Sequence, residues 1–273
     1  MKYALFTGAT GGLGSLCVRR LSQTNQWTVF ALGTKDSILN SLSELPNIIP
    51  LRVDITNQES IDAAYEAVQN VTKKLDAIVN FAGLSYFTSL IEGDSVIAVE
   101  KLLSVNVIGM VRINYTFFEM VHQGKGRIIN CSSESGWMTP QPFAGPYILS
   151  KYAVEAYNDS LRRELLYFNI PVIKIQPGAY ETQLTHQIND YFDQSMSQTK
   201  YYKKLLAKMK PMMTMELNQK NDPNKLAKTV IKAMETKRPK LRYRVGTGKM
   251  LAMMELLPDR LIDMIYRKMF KKL

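Results

Sequence analysis

Residues 2–14 read KYALFTGATGGLG. An apolar run, KYALFT, gives way at Gly8 to a glycine-rich turn, Gly8-Ala9-Thr10-Gly11-Gly12-Leu13-Gly14, and then to an amphipathic stretch over 12–24. A strand, a glycine turn and a helix N-terminus in that order present unpaired backbone N–H groups and the positive end of the helix dipole to a pyrophosphate. The spacing Gly-x3-Gly-x-Gly differs from Gly-x-Gly-x-x-Gly, and no Gly-Lys-Ser/Thr follows, which excludes a Walker-type loop. The turn is therefore read as a dinucleotide cradle.

Outward from that turn, apolar runs of about six residues alternate with longer amphipathic stretches, the pattern of βαβ units. KYALFT, WTVFAL, NIIPLRV, LDAIVNF, GRIINCS, IPVIKIQ and LRYRV are predicted strands; 12–24, 57–72, 95–121, 146–168 and 223–237 are predicted helices, with a short irregular one near residue 36. Right-handed crossovers turn this order into an α/β, Rossmann-type doubly wound fold: a seven-stranded parallel sheet with helices on both faces. Ligands then bind beyond the carboxyl ends of the strands, so chemistry is expected just after each strand.

A chain of 273 residues with 46% apolar and 22% charged residues, no repeat and no low-complexity tract is expected to form a single domain over 1–273. No stretch of 18 apolar residues occurs and the N-terminus runs straight into a strand, so a cytoplasmic location is expected. Cys17 and Cys131 lie in apolar settings that suit reduced core packing, and no His/Cys/Asp/Glu group has metal-ligand spacing. The net charge of +11 is uneven: residues 1–200 hold 16 Lys+Arg against 18 Asp+Glu, and residues 201–273 hold 19 against 6. Basicity confined to the last quarter argues for a local feature, and no nucleic-acid partner is expected.

Within PYILSKYAVEAY (146–157), Tyr147 and Lys151 stand one helical turn apart on one face. With 14 Tyr and 23 Lys in the chain, about one such spacing arises by chance, so the pair acquires meaning only from its surroundings. Those surroundings exist. After the Thr7–Gly14 loop come Asp54-Ile55-Thr56 behind the third strand, Asn80-Phe81-Ala82-Gly83 behind the fourth, Asn106 within SVNVIG, SSESG containing Ser133, and Pro177-Gly178 with Thr182 behind the sixth.

This succession resembles the short-chain dehydrogenase/reductase superfamily over residues 1 to about 185. The resemblance implies cofactor contacts from Gly8, Thr10, Gly11, Gly12, Leu13, Gly14, Asp54, Ile55, Asn80, Ala82, Gly83, Tyr147, Lys151, Pro177, Gly178 and Thr182, and a catalytic set of Asn106, Ser133, Tyr147 and Lys151. Two departures stand out. Phe81 replaces the second Asn of Asn-Asn-Ala-Gly, which braces the sheet in the family, and Ser133 precedes Tyr147 by 14 residues rather than 13, which keeps Ser132 and Ser135 as neighbouring alternatives.

In the implied reaction Tyr147 is the general acid/base. A phenol with a pKa near about 10 needs a cation close by to reach phenolate at neutral pH, and Lys151 supplies one while holding the nicotinamide ribose. Ser133 bonds the substrate oxygen as charge develops on it, and Asn106 anchors a water that feeds protons through Lys151. At the second turn, Gly33-Thr34-Lys35 offers a hydroxyl and an ammonium where NAD-specific folds carry an acid, which favours NADP(H) over NAD(H); Asp36 is the competing ribose ligand.

Residues 183–221 are rich in Tyr, Phe and Met, and are expected to form either a lid over an apolar substrate or ordinary core helices. The tail, 248–273, carries two short helices split by Pro258. In the second, Leu261, Ile262, Ile265, Met269 and Tyr266 form a stripe flanked by Arg260, Arg267, Lys268, Lys271 and Lys272. Such a helix can rest on an anionic membrane surface, a partner subunit or the pocket. GPYILSKYAVEAYNDSLRREL, KRPKLRYRVG and LLPDRL resemble the retinol- and hydroxysteroid-dehydrogenase-like branch, which implies a lipophilic alcohol, ketone or aldehyde and a homo-oligomer. A non-catalytic NADP sensor or scaffold is the competing function; it would need the glycine loop but not Ser133, Tyr147 and Lys151.

Overall fold

The computed structural model describes residues 1–181, 183–217 and 221–270; the side chains of 183–186, 215–217, 249–251 and 270 lie outside that description. Seven strands, β1 (Lys2–Thr7), β2 (Trp27–Gly33), β3 (Ile48–Arg52), β4 (Ala77–Asn80), β5 (Arg127–Cys131), β6 (Val172–Pro177) and β7 (Arg242–Val245), form one sheet in the order β3-β2-β1-β4-β5-β6-β7. Every pairing is parallel, with Thr7 in register with Leu32 on one side and Asn80 on the other. Strand order reverses between β1 and β4, which puts the switch point at the glycine loop.

The period-2 alternation of the strands divides the core between the two faces. On one face Phe6, Val29, Ala31, Val79, Ile129 and Ile175 pack against α1 (Gly12–Ser22), α2 (Asp36–Ser43) and α10 (Pro223–Glu235). On the other, Leu5, Phe30, Leu32, Ile78 and Ile128 pack against α3 (Gln58–Gln69) and the helices that follow β4. Both faces of the sheet are thereby covered, which is why these strands read as near-continuous apolar runs.

The predicted helix 95–121 is not continuous. It runs as α4 (Ser95–Leu103), a π-helical stretch Ser104–Gly109, α5 (Met110–Thr116) and α6 (Phe118–Gly124). The π stretch coincides with Asn106, buried at 1% exposure, and with Gly109, where a Cβ would lie 2.7 Å from the Ile55 side chain. Local widening of a helix at a buried polar residue is a recurring mark of a functional position. The second break is at Phe117, whose ring is fully buried beside Tyr65.

After β5, α7 (Gly145–Leu165) covers β5 and β6. The 183–221 segment holds α8 (Gln183–Gln198) and α9 (Lys203–Leu217), which pack on each other around Phe192 and Leu206. In the tail, α11 (Lys249–Met254) and α12 (Asp259–Phe270) fold back on the chain: Ile262 is buried, Leu261, Ile265 and Tyr266 are half-buried, and Met264 and Met269 are exposed. The tail is tied to the segment after β5, where Gly248 N donates to Glu134 at 2.7 Å and Thr139 Oγ1 donates to Glu255 at 3.1 Å. Lys271 and Lys272 lie outside the described residues. No described helix is long and apolar enough to cross a membrane.

Candidate active site

The carboxyl ends of β1, β4, β5 and β6 meet at the start of α7 and α1. Gly8 adopts φ +70°, and a Cβ there would lie 2.5 Å from the Ala82 nitrogen and 2.6 Å from the Phe81 carbonyl carbon. Gly14 lies against the Gly8 carbonyl, and Gly33 against the Thr10 side chain, with no room for a Cβ at either. Thr7 Oγ1 accepts from the Phe81 and Ala82 amides at 3.2 Å each, joining the two loops at the switch point. The cradle suits a pyrophosphate. Gly11 caps α1 without a side-chain bond and no acid stands in its first turn, so the N–H groups at Gly12, Leu13 and Gly14 meet no competing anion from the helix itself.

At the ends of β2 and β3, Thr34 and Lys35 are exposed, and Asp36 is ion-paired with Arg52 at 3.4 Å. Arg52 sits opposite Gly33 in the register, which brings a second cation to the turn where the sequence points to Lys35 alone. Asp54 Oδ1 accepts from Thr56 N at 2.8 Å and from its hydroxyl at 2.7 Å, and buried Ile55 packs on Gly109. Behind β6, Pro177 is buried and Gly178 lies against the Gly246 carbonyl, pinned by Asn221 Nδ2, which donates to Ala179 O and Gly246 O. Thr182 and the His186 side chain lie outside the described residues.

Tyr147 occupies the first turn of α7 and is half-buried; Lys151, one turn on and 5% exposed, places its Nζ 5.6 Å from the Tyr147 ring centroid. Nζ also donates to Cys131 O at 3.2 Å, and a Cβ on Gly83 would lie 3.7 Å from it and 3.3 Å from Asn106 Oδ1. Lys151 Nζ and Asn106 Oδ1 thus both stand at Gly83, with the Tyr147 ring beside Lys151. Ser133 ends the β5 segment, and the short turn after it, Glu134–Gly136, packs on α7. Ser133 Oγ accepts from Ser135 N at 3.1 Å, whereas Ser132 Oγ is buried with no partner and faces Gly136. Burial pushes the Cys17 and Cys131 thiols up to about 12 and about 11, which keeps both protonated and unreactive at neutral pH.

The Asn106 carboxamide is bonded to the protein: Oδ1 accepts from Leu84 N at 2.7 Å, and Nδ2 donates to Leu84 O and Ser150 Oγ at 2.9 Å each. Ser150 Oγ in turn donates to Tyr147 O at 2.7 Å, so the observed part of Asn106 is to brace the turn that carries Tyr147. The Asn80 side chain is 2% exposed and donates to Asn114 Oδ1 at 2.8 Å and Asn130 Oδ1 at 2.9 Å. Asn114 Nδ2 donates to Tyr157 Oη and Asn130 Nδ2 to Asn158 Oδ1, which completes a buried polar layer under the site. That layer supplies the brace left open by Phe81, whose ring packs on Phe6 instead.

The layer continues along α7. Lys174, 2% exposed, reaches Glu155 at 2.7 Å and Asp159 at 3.0 Å, and Gln176 donates to Glu155. Burial raises the Asp159 carboxyl, but the hydrogen bond and charge of Lys174 outweigh it and hold the group below the usual carboxylate range. A helix bonded this way to β5 and β6 presents Tyr147 and Lys151 from a rigid base.

The family model described as short chain dehydrogenase matches residues 2–192. The chain belongs to that family. Retinol dehydrogenase 7 of Mus musculus is 30% identical, covering 97% of this chain and 88% of its own. The NADPH-dependent 3-dehydrocapnine reductase of Ornithobacterium rhinotracheale is also 30% identical and covers 100% of this chain and 99% of its own. A short-chain dehydrogenase from Streptomyces avermitilis superposes with a TM-score of 0.74 at 21% identity, over 99% of this chain and 96% of that one. This short-chain dehydrogenase is thus an oxidoreductase of CH–OH groups that uses NAD(P). Sequence reasoning missed Arg52, Ser150 and the asparagine layer; the available signal was polar residues inside otherwise apolar runs, as in IINC and IKIQ.

Proposed function

We propose that this short-chain dehydrogenase reduces a ketone or aldehyde on a lipophilic substrate with NADPH. The observation that carries the reading is Lys151 Nζ beside the Tyr147 ring and, with the Asn106 carboxamide, against Gly83, in a fold whose α1 N-terminus has no side-chain cap. When bound, the dinucleotide supplies a hydride equivalent at nicotinamide C4. Tyr147 Oη delivers the proton to the carbonyl oxygen. The Lys151 ammonium, fixed by Cys131 O, stands beside the ring, where it can hold the nicotinamide ribose. Ser133 donates to the same carbonyl oxygen, and its backbone position is set by the turn that packs on α7.

Lys35 and Arg52 at the ends of β2 and β3 support a 2′-phosphate, because the one acid in that turn, Asp36, is bound to Arg52. The name of the relative that spans the whole chain agrees with NADPH. Replacing both cations, Lys35→Ala with Arg52→Ala, is expected to lower the NADPH-over-NADH ratio of kcat/KM about 100-fold, roughly tenfold for each cation removed from the 2′-phosphate. An unchanged ratio would overturn the preference.

The lipophilic class rests on α8 and α9 as a lid, whose inner side gathers Phe192, Leu206, Ile188, Met196 and Met209 against Phe87 and Phe143. NADPH oxidation against aldehydes, ketones and quinones graded by chain length tests it. Rising kcat/KM with chain length is expected; a flat profile, or activity confined to the shortest members, would sink the substrate class.

A further inference from the structure

Between β4 and α4 the chain makes a strap, residues 84–94, without regular structure. One end is fixed at the active site, since Leu84 N and O are both bonded to the Asn106 carboxamide. Midway, Thr88 N donates to Phe143 O at 2.9 Å, and Leu90 fills the space over Gly145 at the head of α7. From both sides of Thr88 the strap grips the α8–α9 unit. Tyr86 stacks on Tyr191 with centroids 3.9 Å apart, and Ser195 Oγ donates to Phe87 O at 3.2 Å. Glu92, half-buried, receives the turn between the two helices: Thr199 Oγ1 donates to Oε2 at 2.8 Å, Tyr201 N to Oε1 at 2.9 Å and Lys200 N to Oε2 at 3.3 Å.

Three donors on one carboxylate, two of them backbone amides just ahead of α9, form a strong and directional set. Thr199 Oγ1 also accepts from Tyr202 N at 2.9 Å, so the same hydroxyl orders the first turn of α9. Besides packing on each other, α8 and α9 are held by the strap and by Phe143. Beside this contact is a small open cleft lined by Tyr86, Phe87, Glu92, Phe143, Tyr191 and Leu206.

We propose that Glu92 is a positioning residue, a latch that holds the α8–α9 lid on the strap and so sets affinity for the long apolar part of the substrate. The proposal rests on the reductase reading for its kinetic consequence and on geometry alone for the latch. Lids of this kind act on substrate retention rather than on the chemical step when the reacting groups sit on another element, as Tyr147 and Lys151 do here.

Glu92→Ala and Glu92→Gln in the full chain test it. Glu92→Ala is expected to raise KM for a long-chain carbonyl about tenfold with kcat within about twofold, as the three donors to the carboxylate turn to solvent. Glu92→Gln is expected to fall between, because its Oε1 still accepts from Tyr201 N while its amide nitrogen cannot accept from Thr199. Hydrogen exchange is the second readout: amides of 196–203 exchange at least about tenfold faster in Glu92→Ala, with NADPH affinity unchanged. Unaltered exchange overturns the latch, and faster exchange with an unaltered KM overturns its bearing on substrate. A wild-type protein that turns over no carbonyl would refute the reductase reading while the exchange result still decides the latch.

Discussion

Tyr147→Phe is expected to bind NADPH as tightly as the wild-type protein and to turn over about 10²–10⁴-fold more slowly, the usual contribution of a positioned general acid. The substitution removes one oxygen from a half-buried ring at the head of α7 and leaves Lys151 bonded to Cys131 O and Asn106 bonded to Leu84 and Ser150. Nothing that holds the cradle at Gly8–Gly14 depends on that oxygen. The loss is therefore expected in kcat and kcat/KM alike, which is the signature of an interaction made in the transition state. Cofactor titration by fluorescence with parallel initial rates separates the two effects, and a variant with wild-type turnover would remove Tyr147 from the mechanism.

Gly8→Ala is expected to be nearly as damaging by a different route. A left-handed backbone costs a side chain about 1–2 kcal/mol. The added Cβ would also press on the Ala82 nitrogen and Phe81 carbonyl carbon, which are backbone atoms of the adjacent loop and cannot swing aside as a side chain would. Forced displacement of this kind adds about 1–3 kcal/mol, giving a midpoint lowered by on the order of 10 °C for a chain of this size. NADPH affinity should fall with it, because the loop that moves is the one whose N–H groups face the pyrophosphate. Thermal unfolding with and without NADPH measures both, and a variant that retains the wild-type midpoint would show that the two loops can part without cost.

Legibility in the sequence followed burial. The seven strands were recognisable because a parallel sheet covered on both faces leaves continuous apolar runs, and each observed strand falls within or one residue beyond the predicted run. The glycine loop was recognisable because close approach of β1 to β4 and of α1 to its own loop forbids a Cβ at Gly8 and Gly14. Tyr147 and Lys151 became meaningful through their helical spacing and the motifs around them. Other features depended on contacts far apart in the chain. Asn80, Asn114, Asn130 and Asn158 each look like an isolated polar residue until the fold stacks β4, β5, α5 and α7. Arg52 is the next-to-last residue of the run NIIPLRV and comes to the second turn, opposite Gly33, only through the β2–β3 register.

The interruption of the long helix after Ser95 was equally silent, because apolar spacing continues through the π stretch that seats Asn106. Residues 183–221 gave no strand pattern and two permissible readings, a lid or core helices, and the fold shows two helices there. Their aromatic and Met side chains make a small core of their own, and that core leans on the strap from the active site.

The central claim, hydride transfer to a lipophilic carbonyl at the Tyr147 site, is tested most directly with NADPH carrying deuterium at both C4 positions of the nicotinamide and a long-chain ketone that the wild-type protein consumes. Mass spectrometry of the product is expected to show one deuterium on the carbinol carbon in the wild-type protein and at least about 100-fold less product in the same time with Tyr147→Phe. Product without deuterium at that carbon, or equal product from both proteins, would contradict the account.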